Sequence, residues 1–168
     1  MHADIVSNGI SVLVACYEPH RSMQAMHEFA SGMRLILKGK RLGLKHLASR
    51  DSLGNWFFRR CGVAMSYDCQ ELLDSPTKWG PCVWRLLFCI ANMYTASRRA
   101  AFGNILNSLC VLIPCRKCGD NFKALLQKGE TAHRWKSVCA GAGCVSFVGW
   151  LHDSVKAHAS MGEEEKIS

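Results

Sequence analysis

Apolar residues spaced at helical intervals in the second half of the chain restrict its fold more than any other feature. The most regular run comprises Phe102, Ile105, Leu106, Leu109, Leu112 and Ile113. This spacing places all of them on one face of an α-helix, and Pro114 then ends the pattern. Because no segment alternates polar and apolar residues with the period of a β-strand, we predict an all-α fold.

Three further segments repeat this spacing. Their apolar faces are Trp84, Leu87, Phe88 and Ala91; Cys118, Phe122, Leu125 and Leu126; and Val148, Leu151, His152 and Val155. We predict a four-helix bundle over residues 76–160, with Pro81 opening its first helix and Ser97 capping its second. A third helix is predicted to begin near Cys115, and a glycine-bearing loop to cover residues 129–143. Residues 161–168 are predicted to form a disordered tail.

Residues 1–75 are predicted to form a helical or irregular basic extension. Met23, Met26, Ala30, Met33 and Leu37 have helical spacing, whereas residues 42–75 indicate irregular structure or short helices. Between residues 31 and 60 there are eight Lys or Arg and a single acid. Such a segment can bind nucleic acid or an anionic membrane, but no nucleic-acid-binding motif accompanies it. We therefore predict a solvated segment that binds no nucleic acid and is dispensable for binding of a cofactor by the bundle.

Composition narrows the class of protein. The 168-residue chain is 49 % hydrophobic and 20 % charged, so it can form a packed core, and its net charge is +8. It lacks the run of about 18 apolar residues that a spanning helix needs, which predicts no membrane span. The short apolar run Ile10 to Ala15 follows Asp4, and no Lys or Arg occurs before Arg21, so we expect an intracellular protein without a signal peptide. Ten cysteines in such a chain indicate thiol chemistry or metal binding.

The sequence Pro114-Cys115-Arg116-Lys117-Cys118 is the central chemical motif. At the start of a helix, free backbone N–H groups and the helix dipole stabilise a thiolate, and Arg116 and Lys117 add positive charge. Two cysteines with this spacing can form a disulfide across one turn. The motif therefore predicts redox-active Cys115 and Cys118.

Other interpretations of the motif remain open. Cys115 and Cys118 could join Cys139 and Cys144 in a zinc site of a helical interaction module. The spacing of Cys139 and Cys144 is long for such a site, and the first pair lies between amphipathic helices, so we expect no metal. A thioredoxin-like fold would need β-strands that the sequence does not indicate. The chain could also be a basic nucleic-acid-associated protein with an incidental motif.

The order of motifs around Cys115 resembles the Erv/ALR family of flavin-dependent sulfhydryl oxidases, especially its short viral members. The residues that carry the resemblance are Trp79-Gly80-Pro81 with Trp84, Ala91 with Tyr94, Pro114-Cys115-x-x-Cys118, and the segment from His152 to Val155. It covers about residues 79–160. The chain departs from the family at Phe88, where the family has histidine, and at Asp153 and Lys156, where it has asparagine.

The resemblance implies a FAD-dependent thiol oxidase that forms disulfides in protein dithiols and passes the electrons to dioxygen, releasing hydrogen peroxide. It implies catalytic roles for Cys115 and Cys118 and FAD contacts from Trp79, Gly80, Trp84, Tyr94, His152 and Val155. The implied partners are protein dithiols, such as a thioredoxin-like or virion protein, and a second copy of the chain. The implied location is host cytoplasm or virion. An alternative is a degenerate relative without flavin.

A shuttle dithiol between substrate and Cys115 is also expected. Cys61 and Cys69 are the first choice for this pair, because they lie in a glycine-containing segment just before the bundle.

Overall fold

The chain folds into α-helices joined by short connections. The structure, a computed structural model, describes residues 3–65 and 70–164, which are about 80 % helical and contain no β-strand. The α-helices are α1 (Ala3–Ala15), α2 (Pro19–Ile36), α3 (Arg50–Cys61), α4 (Pro76–Asn92), α5 (Arg99–Leu112), α6 (Arg116–Leu126), α7 (Gly129–Lys136) and α8 (Gly141–Glu164). Short 3₁₀ helices lie at Leu44–Leu47, Gln70–Leu72 and Ala96–Arg98. The prediction of an all-α fold is confirmed.

Helix α4 begins earlier than predicted. Ser75 caps it by accepting a hydrogen bond from the backbone N–H of Thr77, and Pro76 occupies the first helical position. Pro81, which was predicted to open the helix, therefore lies inside it. Ser75 and Pro76 form an equally good helix-start signal about one turn before Pro81, and the helix begins there.

The start of α5 also differs from the prediction. Ser97 lies in the 3₁₀ helix Ala96–Arg98, where its hydroxyl bonds Thr95 Oγ1 at 2.9 Å, so it does not cap α5. The predicted end is confirmed, because α5 stops at Leu112 and Ile113 is extended with φ −66° and ψ 148°. A residue that precedes proline is restricted in this way.

Two predictions in the last third of the chain differ from the structure within the described residues. Residues 129–143, predicted to be a loop, contain α7, because Trp135 packs against Tyr94, Phe102 and Phe147 and this burial overrides the glycines. The predicted tail is helical as far as Glu164, since α8 extends from its packed part at small cost per added residue. Residues 165–168 lie outside the described ranges.

The first 75 residues supply a large part of the core. Helix α1 packs on α4 and α2 packs on α5, and apolar residues of all four helices belong to one buried cluster. Gly9 and Gly32 permit the close approach. A Cβ on Gly32 would lie 2.8 Å from Ile105 Cγ1, and one on Gly9 would lie 2.6 Å from Leu86 Cβ.

Helix α3 lies in the segment that was predicted to form irregular structure or short helices. Ser49 caps its start by accepting a hydrogen bond from Ser52 N, and Gly62 ends it in the left-handed conformation with φ 70°. Trp56 and Phe57 on α3 are buried in the common core. Among the helices that the structure describes, none is both long and apolar enough to cross a bilayer.

Candidate functional site

Cys115 and Cys118 form a disulfide at the N-terminus of α6. Their Cα atoms are 5.2 Å apart. Cys115 is the capping residue of the helix, and its Sγ accepts a hydrogen bond from the backbone N–H of Cys118 at 3.2 Å. A sulfur in this position is stabilised as a thiolate by the helix terminus. The structure therefore places the motif where the sequence predicted it.

Gly119 holds the disulfide close to α5. A Cβ on Gly119 would overlap the carbonyl oxygen of Cys110, so the first turn of α6 packs directly on the backbone at the end of α5. Only glycine permits this contact without a shift of one helix. The position of Cys118, the preceding residue, depends on it.

We expect Gly119→Ala to destabilise the fold by about 1–3 kcal/mol, because an added methyl group must push α6 away from α5. Gly103→Ala in α5 is the matched control, since no atom lies within 4 Å of the Cβ that it adds. The control should gain about 0.5–1 kcal/mol from helix propensity. Urea unfolding of both variants measures the difference. If Gly119→Ala and Gly103→Ala had equal free energies of unfolding, the α5–α6 contact would not require glycine at position 119.

Cys118 faces a small apolar cavity. The cavity has a volume of about 70 Å³ and lies between α4, α5, α6 and α8. Its lining residues are Trp79, Val83, Trp84, Leu87, Leu109, Ile113, Cys118, Phe122 and Val155. Three of the residues predicted to contact FAD, Trp79, Trp84 and Val155, thus line the same cavity as the predicted catalytic Cys118.

His152 lies beside this cavity on α8. Its ring centroid is 5.0 Å from that of Trp84 and 6.2 Å from that of Phe88, both in edge-on geometry. Its Nδ1 lies 3.3 Å from Oδ1 of the exposed Asp153. Trp84 also contacts Phe122 edge-on at 6.1 Å. His152 is therefore joined to the Cys118 cavity through the ring of Trp84.

Tyr94 and Gly80 occupy other positions. Tyr94 is buried in a separate aromatic cluster, where its ring contacts Phe102 and Trp135 at 5.9 Å and 5.8 Å. Its buried hydroxyl has no hydrogen-bond partner within the part of the chain that the structure describes. Gly80 follows Trp79 on α4 and is buried, but it is not among the residues that line the cavity.

A larger groove adjoins the cavity between α6 and α8. It has a volume of about 440 Å³ and shares Cys118, Phe122 and Val155 with the cavity. Asn121, Lys128, Trp150, Ser154 and His158 give it polar and aromatic walls. The helical spacing of Cys118 and Phe122 indicated their common face, but no motif in the sequence marked Lys128 or His158.

The cavity and groove together suit a ligand with a planar apolar part and a polar part. The cavity alone is smaller than the roughly 300 Å³ at which small-molecule sites begin, whereas the groove lies within their range. Aromatic walls beside Cys118 suit a flavin ring, and Lys128 in the groove suits a phosphate. The residue types in the two walls are therefore those that a flavin nucleotide would need, whereas the cavity beside Cys118 would have to widen to admit the ring.

A second groove lies on the other side of the motif. It has a volume of about 620 Å³ and is formed where the α5–α6 connection meets the first three helices. Pro114 and Arg116, the two neighbours of Cys115, line it. Arg21, Arg50, Glu18 and Asp120 make it polar. An external chain that enters this groove would contact the two neighbours of Cys115, although Cys115 itself does not line the groove.

The remaining cysteines differ in burial. Burial raises the pKa of Cys144 to about 12 and that of Cys61 to about 11, although Arg34 partly opposes the shift at Cys61. Little thiolate forms at neutral pH in either case, which does not suit a shuttle role for Cys61. Cys69, its expected partner, lies outside the described residues. Within those residues, no three His, Cys, Asp or Glu side chains are grouped closely enough to hold a metal ion.

Comparison of this chain with known proteins gives no match to a protein-family model, to a curated protein or to a solved structure.

Proposed function

We propose that this chain is a FAD-dependent thiol oxidase that forms disulfides in protein dithiols. The observation that carries the proposal is the position of the Cys115–Cys118 disulfide. It caps a helix, and Cys118 lines an apolar cavity together with Trp79, Trp84 and Val155. An incidental pair of cysteines would not require an aromatic cavity beside one of its sulfurs.

The two cysteines have different roles in the proposed exchange. A substrate thiolate attacks Cys115 Sγ, a mixed disulfide forms, and the Cys115–Cys118 bond breaks. Cys118 leaves as a thiolate that faces the cavity. The second substrate thiol then attacks the mixed disulfide and releases the oxidised substrate and the Cys115 thiolate. The Cys118 backbone N–H and the N-terminus of α6 stabilise negative charge on Cys115.

The walls of the cavity would hold the cofactor. Trp79, Trp84 and Phe122 supply aromatic surface, Val155 closes the α8 side, and Lys128 lies in the adjoining groove. When bound, FAD accepts the electron pair of the dithiol and transfers it to dioxygen, which yields hydrogen peroxide. Phe88 replaces a histidine and Asp153 and Lys156 replace asparagines of the family pattern, so we expect weaker binding than the full set of histidine and asparagine contacts would give.

Oxygen consumption tests the proposal. The full chain, supplied with FAD and a reduced protein dithiol, is expected to consume one dioxygen and release one hydrogen peroxide for each disulfide formed. Trp84→Ala should lower turnover by weakening FAD binding, with partial recovery at higher FAD concentration. Leu35→Ala on the exposed face of α2 is the control and should leave turnover unchanged. Absence of FAD-dependent peroxide release would contradict the proposed function.

A further inference from the structure

Three neighbouring stretches of the N-terminal half form a region with exposed apolar side chains and with cations that make no ion pair to a residue described by the structure. We call it the basic-apolar surface. Its apolar members are Leu35, Leu44 and Phe58, which are 48 %, 74 % and 59 % exposed. Its cations are Lys38, Lys40, Arg41, Lys45, Arg59 and Arg60, all of them exposed.

Backbone contacts bring these stretches together. The backbone N–H of Lys40 donates to the carbonyl of Arg60 at 3.1 Å, and Trp56 Nε1 donates to the carbonyl of Arg41 at 3.4 Å. A Cβ on Gly39 would lie 2.5 Å from Cys61 Sγ. The connection after α2 is therefore packed against the C-terminal end of α3, and the cations of both segments share one region.

The charge of this region is not neutralised locally. None of its six cations forms an ion pair with another residue that the structure describes. Asp51, the only acid between residues 31 and 60, lies in the first turn of α3, whereas Arg59 and Arg60 lie in its last turn. Because Arg59 and Arg60 follow Asp51 by eight and nine residues, about 12–14 Å separates them from Asp51 along the helix axis.

Lys38 has an unusual backbone conformation. It is the only described residue other than glycine with positive φ, at 55°, and it follows the C-terminal cap of α2. Glycine normally occupies this position, because other residues are strained in the left-handed region. The chain thus holds a lysine where glycine would be more stable.

We propose that the basic-apolar surface binds the surface of an anionic lipid bilayer. Lysine and arginine are attracted to acidic headgroups, and leucine and phenylalanine insert between the acyl chains below them. Charge attraction to nucleic acid uses phosphate contacts and base stacking, for which the aliphatic Leu35 and Leu44 are unsuited. The combination of both residue types on one exposed region therefore favours lipid over nucleic acid.

Sedimentation with vesicles tests the proposal on the full chain. We expect binding to phosphatidylcholine vesicles that contain about one third phosphatidylserine, weak binding to pure phosphatidylcholine, and loss of binding at high salt. Lys38→Gly should weaken binding about fivefold through loss of one charge. Because it also relieves backbone strain, this variant should melt at a higher temperature, so weaker binding cannot be attributed to unfolding.

The apolar contribution needs a second variant. Leu44→Ser combined with Phe58→Ser should weaken vesicle binding at least tenfold, since both side chains lose their apolar contact with the acyl chains. Val111→Ser is the control, because Val111 is equally exposed at 58 % but lies on α5 outside this surface. Equal binding to both kinds of vesicle, or unchanged binding of the double variant, would overturn the proposal. If the chain binds duplex RNA more tightly than it binds vesicles, and if the double variant retains this RNA binding, the surface would be assigned to nucleic acid instead.

Discussion

Replacing Cys118 with serine is expected to abolish dithiol oxidation, because the Cys115–Cys118 disulfide that the substrate thiolate attacks can no longer form. When the oxidised, disulfide form of the substrate is added, the Cys115 thiolate of this variant is expected to attack it, forming a mixed disulfide and releasing the other substrate sulfur as a thiolate, with no Cys118 thiolate to resolve the product. Replacing Cys115 with serine should also abolish turnover, but it leaves the Cys118 thiolate facing the cavity. With FAD present, only Cys115→Ser should therefore show the long-wavelength absorption that a thiolate produces beside an oxidised flavin.

Cys139→Ser is the control for both variants, because Cys139 is exposed and does not line the cavity. It should retain full turnover. Mixed-disulfide trapping by mass spectrometry and visible spectra separate the two cysteines. The opposite pattern of trapping and absorption would exchange their roles. Normal peroxide release by either active-site variant would remove the disulfide from the mechanism.

Deleting residues 1–75 is expected to leave a chain without a cooperative unfolding transition. Helices α1 and α2 cover α4 and α5, so the deletion exposes apolar residues that are buried in the common core. The sequence pattern had predicted that the basic segment within this region is dispensable, whereas the packing of the structure favours the opposite result. Thermal unfolding followed by circular dichroism, with a dye that binds exposed apolar surface, measures the effect.

A point variant tests the same contact in the whole chain. Phe29 on α2 is fully buried and contacts Phe57 at a centroid distance of 6.4 Å, so Phe29→Ala should cost about 3–5 kcal/mol. Phe58→Ala on α3 is the matched control, because Phe58 is exposed and the change should stay within about 0.5 kcal/mol. A fragment of residues 76–164 that melts like the full chain would show that the extension is independent of the bundle.

Local signals predicted the centre of the candidate site well. The spacing from Phe102 to Leu112, Pro114 and the helix that begins after Cys115 are all observed. These features depend on neighbours within one or two turns, which a sequence shows directly. Helical spacing also predicted that Cys118 and Phe122 share a face, and both line the cavity.

Features that depend on distant residues were not predictable in the same way. The glycines near residue 129 suggested a loop, yet α7 forms because Trp135 packs against Tyr94 in the connection after α4, Phe102 on α5 and Phe147 on α8. Tyr94 joins that cluster instead of the Cys118 cavity for the same reason. The close approach of α2 to α5 at Gly32 has no local signal either, since glycine in a helix otherwise indicates only lower helix propensity.

The visible absorption spectrum of the full chain with FAD tests the central claim most directly. After FAD is supplied and excess is removed, we expect flavin absorbance that disappears when a dithiol is added without oxygen and returns when oxygen is admitted. In the chain with both Cys115→Ser and Cys118→Ser, the absorbance should remain after the dithiol is added at the same concentration. A chain that stays colourless after FAD is supplied, or a double variant that is reduced as fast as the wild type, would contradict electron transfer from the Cys115–Cys118 pair to a bound flavin.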